Sequence, residues 1–304
     1  MSVNRKKPIV LFIYKRPKHV INVLESINKY APNKVYIVAD GPKNEEDVEK
    51  CELARDVVQT FLEKKDIKYE KDFSECNLGG PYRIPQGLNW VFDNEDEAIV
   101  LEDDCVPSLS FFHFCEYLLD YYKLDSRVAV ISGNNFQKSK LKKDSYYFSC
   151  FNHCWGWATW KSAWEKYDEF LQKWPDFKAS EYLKNYFSQK KHINYWSRIF
   201  DNVYYRRKVH WDYTWTFTCW SNNFLTVIPG KNLVTNVGFD EEASNTKNSQ
   251  DPKAYMPAYE LDFPLNHPEC VIRHFNADLY TQKNHFGPKS FYKKIVSKLS
   301  RIYK

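Results

Sequence analysis

Ala98-Ile99-Val100-Leu101-Glu102-Asp103-Asp104 joins an apolar run of strand length directly to three consecutive carboxylates. Such a run is the pattern of a strand buried on both faces. Adjacent carboxylates repel one another, so a fold keeps them only where a cation or hydrogen-bond donors compensate. Hard oxygen ligands at a strand end suit Mg²⁺ or Mn²⁺ shared with a diphosphate. The plainer alternative is a solvated acidic turn, or an acidic cap on a helix starting near Ser108.

Upstream of this stretch the chain alternates. Pro8 to Tyr14 and Lys34 to Ala39 are apolar, and Ile67 to Phe73 reads as a third strand. Between them, Arg16 to Tyr30 places Val20, Val23, Leu24 and Ile27 at helical spacing. Asp47 to Lys64 does the same with Cys51, Leu53, Ala54, Val57, Val58 and Phe61, and a helix is expected from about Pro85 to Phe92. Downstream, Phe111 to Tyr122 reads as a helix and Arg127 to Ser132 as a strand. Strands alternating with helices predict an α/β fold, Rossmann-like, with a mostly parallel central sheet flanked by helices. Ligands then sit in the crevice beyond the C-terminal strand ends. Lys15-Arg16, Asp40-Gly41 and Glu102-Asp103-Asp104 all fall at such ends.

Each polar cluster has two readings. Asp40 can accept the imide hydrogen of uracil or simply make an Asx turn before Gly41-Pro42. Arg16 can reach a phosphate or ribose, or be a surface arginine before Pro17. Asn77-Leu78-Gly79-Gly80-Pro81-Tyr82-Arg83 can approach a base or phosphate, although paired glycines are an everyday turn.

From Tyr146 onward the chain is dense in aromatics. Asp212 lies in His210-Trp211-Asp212-Tyr213-Thr214-Trp215; a carboxylate among rings is partly desolvated and becomes a stronger proton acceptor. It also reads as the start of a helix. Trp155 and Trp157, in Cys154-Trp155-Gly156-Trp157, and Trp211 can stack on sugars or fill a core.

The 304 residues carry a net charge of +5 and show no aromatic-basic motif, so a nucleic-acid partner is not expected. No Walker loop, GxGxxG fingerprint, GxSxG elbow or HExxH spacing is present. The eight cysteines form no CxxC knuckle and read as reduced thiols. With no apolar run of membrane-spanning length, a cytoplasmic location is expected. Lys289 to Lys304 spaces Phe291, Ile295, Leu299 and Ile302 among lysines, a basic amphipathic tail that either contacts a membrane surface or docks on its own domain.

The order of these motifs resembles nucleotide-diphospho-sugar transferases of the GT-A fold, in particular the inverting N-acetylglucosaminyltransferase I-like group and bacterial hemolytic-protein-like glycosyltransferases. The resemblance runs from about Pro8 to His285. It implies one GT-A domain over 1–286, with a nucleotide-sugar-binding half at about 8–135 and an aromatic-rich acceptor half at about 136–286, followed by the tail at 287–304. Glu102-Asp103-Asp104 resembles that group's acidic motif, which implies Asp104 as metal ligand, Asp103 at the ribose and Glu102 at the donor sugar. Tyr14-Lys15-Arg16-Pro17 and Ala39-Asp40-Gly41 match its uridine-binding Arg and Asp, and Arg83 lies near a base-contacting position. Trp211-Asp212-Tyr213-Thr214-Trp215 resembles a stretch whose aspartate is the base, although this chain has one aspartate there where the group has two. Asn236 to Thr246 resembles a loop that orders over bound donor. The implied activity is inverting transfer from a UDP-sugar to a hydroxyl of a glycan or lipid-linked glycan, with Mn²⁺ or Mg²⁺. The rivals are a nucleotidyltransferase that makes the sugar nucleotide, and a non-catalytic carbohydrate-binding protein. The first usually carries a Gly-rich loop where this chain has Tyr14-Lys15-Arg16-Pro17-Lys18.

Overall fold

The computed structural model describes residues 6–138, 141, 143–239 and 253–286. The basic tail and most of the Asn236–Thr246 segment lie outside the described residues.

The first part follows the expected alternation: β1 (Ile9–Ile13), α1 (Pro17–Tyr30), β2 (Val35–Ala39), α2 (Glu45–Lys64), β3 (Tyr69–Phe73), α3 (Gly80–Phe92) and β4 (Glu97–Glu102). Next come β5 (Cys105–Pro107), α4 (Leu109–Tyr121), β6 (Val128–Ser132), β7 (Tyr146–Ser149) and β8 (Trp157–Trp160). The chain continues through short helices α5 (Lys161–Trp164) and α6 (Trp174–Ala179), then α7 (Lys190–Arg206), α8 (Trp211–Ser221), β9 (Leu225–Pro229), β10 (Val234–Asn236) and α9 (Phe275–Asn284).

Eight strands form one sheet in the order β3-β2-β1-β4-β8-β6-β9-β7. β1 to β4 are parallel, as are β6 and β9, while β8 and β7 run antiparallel to their neighbours. The fold is therefore α/β with a mostly parallel central sheet. In β1, successive residues point to opposite faces. Ile9, Leu11 and Ile13 pack with α1, α2 and α4; Val10 and Phe12 pack with α3, α7 and α8. The fully buried β1 and β2 account for the unbroken apolar runs.

Two local expectations are corrected. Leu53 is exposed, because the buried stripe of α2 is Cys51, Ala54, Val58 and Leu62. α3 begins at Gly80, before Pro85, with Pro81 in its first turn, where a missing N–H costs nothing.

Candidate functional site

Because β1 and β4 are parallel neighbours, their C-terminal ends bring Arg16 beside Glu102-Asp103-Asp104. Asp103 and Asp104 are buried. Arg16 Nη1 donates to Asp104 Oδ2 at 2.7 Å, and Nη2 donates to Asp103 Oδ1. The Tyr14 N–H also donates to Asp103 Oδ2 at 3.2 Å. Burial pushes the Asp103 carboxyl up, and the Arg16 guanidinium opposes that rise. Glu102, half-buried, is pushed up to about 8 by burial first and by the Asp104 charge second. Its folded value therefore exceeds the ordinary ~4.3 of glutamate. Ionising Glu102 weakens the fold progressively as pH rises from that ordinary value through about 8. Glu102→Gln is expected to melt above the wild type at pH 9, with the two curves converging near pH 4; equal melting temperatures at pH 9 would contradict this.

A backbone segment closes over this cluster. β10 pairs with β5, and the Val237 N–H donates to the Asp104 carbonyl at 2.9 Å. Gly238 follows, and a Cβ there would lie 2.0 Å from Asp104 Oδ2 and 2.7 Å from Arg16 Nη1. Only glycine fits so close an approach.

Asp212 stands at the second position of α8, in its first turn, with His210 as the N-cap residue. Its side chain is exposed, yet protein crowds it enough that desolvation raises its carboxyl above the ordinary value. The Asp212 charge acts on Glu102, and both act on the Cys154 thiol, which burial pushes up. Glu102, Cys154 and Asp212 are thus within electrostatic reach of one another. Sequence reading did not single out Cys154, and its cysteine identity held no signal of this position.

The other expected residues divide. Asp40 Oδ1 accepts from the N–H of Gly41 and of Leu78, each at 2.9 Å. Its Oδ2 accepts from the Gly79 N–H at 2.8 Å and Asn77 Nδ2 at 3.1 Å. Those bonds occupy the acceptor sites of a carboxylate, so Asp40 braces the Asn77–Gly79 loop in place of presenting a free acceptor to uracil. Arg83, also buried, is a strut: Nε donates to the Ala39 carbonyl at 3.1 Å and Nη1 to Asp72 Oδ2 at 2.8 Å. Nη1 also donates to Gln86 Oε1 at 3.2 Å and Nη2 to the Asp72 carbonyl at 2.6 Å, so four of its five N–H groups are spent on the protein. Trp157 is 1% exposed and packs against Trp211, Trp164 and Trp215, so it is core and offers no ring face to a sugar. Trp211 is stacked on Trp157 and almost closed off. Trp155 keeps accessible surface, with its ring edge-on to Phe136 and Phe239.

Sequence reading also missed a second charged knot beside β1. Lys15 Nζ pairs with Asp47 Oδ1 at 2.6 Å, and the Tyr14 hydroxyl donates to Asp47 Oδ2 at 2.8 Å. The Lys15 ammonium is the chief cause that lowers the Asp47 carboxyl.

Among the described residues no group of three or more His, Cys, Asp or Glu side chains converges to enclose an ion. Asp103 and Asp104 do present hard oxygens, with Arg16 already supplying a positive charge. That donor set suits an ion held by one or two carboxylates that takes its other ligands from phosphate and water, as Mg²⁺ commonly does. No helix among the described residues is long and apolar enough to cross a membrane.

No family model matches the sequence, and no curated protein matches it. Among solved structures, the chain is similar to the 4-diphosphocytidyl-2C-methyl-D-erythritol synthase of Anaerococcus prevotii, at 13% identity and a TM-score of 0.35, over 58% of this chain and 85% of that one. It is also similar to the inositol-1-phosphate CTP transferase of T. maritima, at 8% identity and a TM-score of 0.34, over 56% and 77%. Likenesses of this size carry no argument about what the chain does.

Proposed function

We propose that the chain is a glycosyltransferase that moves a sugar from a nucleotide-diphosphate sugar, a UDP-sugar in the first instance, to an acceptor hydroxyl with inversion. The observation that supports this most is the contrast between two kinds of carboxylate that both act electrostatically on Glu102. Asp103 and Asp104 are buried and held by Arg16, whereas Asp212 is open to solvent and carries a raised pKa. The first kind is fit to hold a cation, and through it a phosphate; the second is fit to take a proton.

In this reading Asp212 removes the acceptor proton as the hydroxyl oxygen attacks the anomeric carbon, and the bond to the nucleoside diphosphate breaks on the opposite side. Arg16 lies where charge on the departing diphosphate would need neutralising. A divalent ion on Asp104 would, when bound, act as a Lewis acid toward that diphosphate. Glu102 faces the donor sugar, and Trp155 is the tryptophan placed to line the acceptor side.

A second reading is nucleotidyl transfer, the class named by the T. maritima CTP transferase. Arg16, a cation at the end of β1, would serve an incoming triphosphate equally well. The products separate the two. Incubation with UDP-, GDP- and TDP-sugars and Mn²⁺ or Mg²⁺ is expected to release a nucleoside diphosphate. Pyrophosphate formed from a nucleoside triphosphate and a sugar phosphate would decide for the second reading. Glycan binding with no donor turnover would leave only a carbohydrate-binding protein.

A further inference from the structure

At the opposite end of the sheet from the acidic cluster, a pocket of about 640 Å³ opens beside α4. One wall is helical, made by His113, Glu116, Tyr117, Asp120 and Tyr121; Lys6 and Phe263 close the others. His113, Tyr117 and Tyr121 recur every four residues and so share one face of the helix. Lys7, just before β1, bonds both Glu97 at the start of β4 and Asp120. Arg16 and Glu102 lie past the other ends of the same two strands, and β1 alone spans on the order of 16 Å. The pocket is therefore separate from the acidic cluster. Its volume falls within the range of roughly 300–1,000 Å³ typical of small-molecule sites.

The lining combines rings that are open to solvent with a carboxylate that is only half used. Tyr117, Tyr121 and Phe263 are 44%, 52% and 45% exposed, far more than rings that serve as core. Two of them are nevertheless held in place. Tyr121 stacks on His267 at 4.2 Å, Tyr117 lies nearly parallel to Tyr121 at 5.8 Å, and the Tyr117 hydroxyl hydrogen-bonds His267 Nε2 at 3.1 Å. Phe263 meets His113 edge-on. Asp120 Oδ1 accepts from Lys7, whereas no donor among the described residues reaches Oδ2, and the side chain is half exposed. Glu116 is buried and accepts from Lys6 Nζ at 3.3 Å.

This lining selects its guest. A purely apolar partner would take Asp120 out of water with one oxygen unbonded, which is costly. An anion would face the charges of Glu116 and Asp120. A neutral pyranose meets both conditions, because its C–H face lies on aromatic rings while its hydroxyls donate to a carboxylate. We propose that this pocket is a carbohydrate site remote from the acidic cluster, holding one neutral pyranose unit on Tyr121 and Phe263 with a hydroxyl on Asp120. It goes beyond the proposed transfer reaction and needs neither a donor, a metal nor Asp212.

The test is saturation-transfer NMR on the full chain, without nucleotide or metal. The probes are the methyl glycosides of glucose, galactose, mannose, N-acetylglucosamine and N-acetylgalactosamine. At least one is expected to bind, with its ring C–H protons the most strongly saturated. Tyr121→Ala and Phe263→Ala should each weaken it by at least about fivefold, the loss of one ring contact. Tyr121→Phe, which keeps the ring, should bind as the wild type does, and so should Trp155→Ala. Phe263 lies on a different segment from Tyr121, so its variant decides the matter if the helix substitution misfolds. Failure of all five glycosides to bind overturns the proposal. So does binding that survives Tyr121→Ala and Phe263→Ala but is lost in Trp155→Ala, which would seat the sugar at Trp155. A wild type that sediments as a dimer, becomes monomeric in Tyr121→Ala and binds no glycoside would make the pocket a contact between copies, and also overturns it. Absence of sugar transfer from any donor would count against the glycosyltransferase reading and leave the glycoside binding readable.

Discussion

Asp212→Asn is expected to lower sugar transfer by roughly 10²–10⁴-fold, the usual contribution of a positioned base, while UDP binding is retained. The substitution keeps the shape of the side chain and removes only its capacity to take a proton. No side chain among the described residues donates to the Asp212 carboxylate; its partners are the backbone N–H groups of Tyr213 and of Asp212 itself, from which an asparagine Oδ1 can also accept. The fold therefore has little to lose. Desolvation raises the Asp212 carboxyl, so the acid limb of the kcat/KM profile should lie above the ordinary aspartate value of ~3.9. Activity should fall as pH drops through that limb, because the base is then protonated. Transfer at wild-type rate in the Asn variant would remove Asp212 from the chemistry.

Arg16→Met should destabilise the protein by about 3–5 kcal/mol, the cost typical of stranding one side of a buried charge pair. Arg16 bridges two buried carboxylates at once, and its side chain is 11% exposed. Methionine restores much of the volume and leaves both acids without their cationic partner, with only the Tyr14 N–H on Asp103 and the Cys105 thiol on Asp104. Denaturant unfolding measures the loss directly. Arg16→Met combined with Asp103→Asn should recover part of it, since one of the stranded charges is then gone. Lysine at position 16 should rescue less than arginine provides, because an ammonium cannot present two parallel N–H groups to two acids. Unchanged stability of the methionine variant would mean that the acids find their compensation elsewhere.

The parallel core was legible because its strands are buried on both faces and so leave an unbroken apolar record in the chain. The acidic triplet was legible for the same reason, since it follows such a run without a break. Its compensation was not. Arg16 meets Asp103 and Asp104 across 87 and 88 residues, and that meeting depends on β1 and β4 being neighbours, which no local pattern states. Asp40 and Arg83 were read as ligand contacts because arginines and strand-end aspartates look alike whether they face a ligand or a loop. The tryptophans show the same limit: Trp155 and Trp157 are two residues apart, yet one keeps accessible surface and the other lies in β8, an antiparallel strand wedged between β4 and β6. Insertion of β8 into the sheet buries Trp157, and a run of four residues gave too little pattern to foresee it.

The contact of Gly238 with Asp104 and Arg16 sets a thermodynamic condition on any guest of the acidic pocket. The strip of main chain at Gly238 lies against Asp104 Oδ2, so under the proposed function a diphosphate reaching that oxygen has to displace it. Measured affinity must then fall short of the intrinsic value in proportion to the fraction of molecules already opened. A mutation that loosens the strip without touching a ligand would tighten binding, and one that glues it down would weaken binding while raising the melting point.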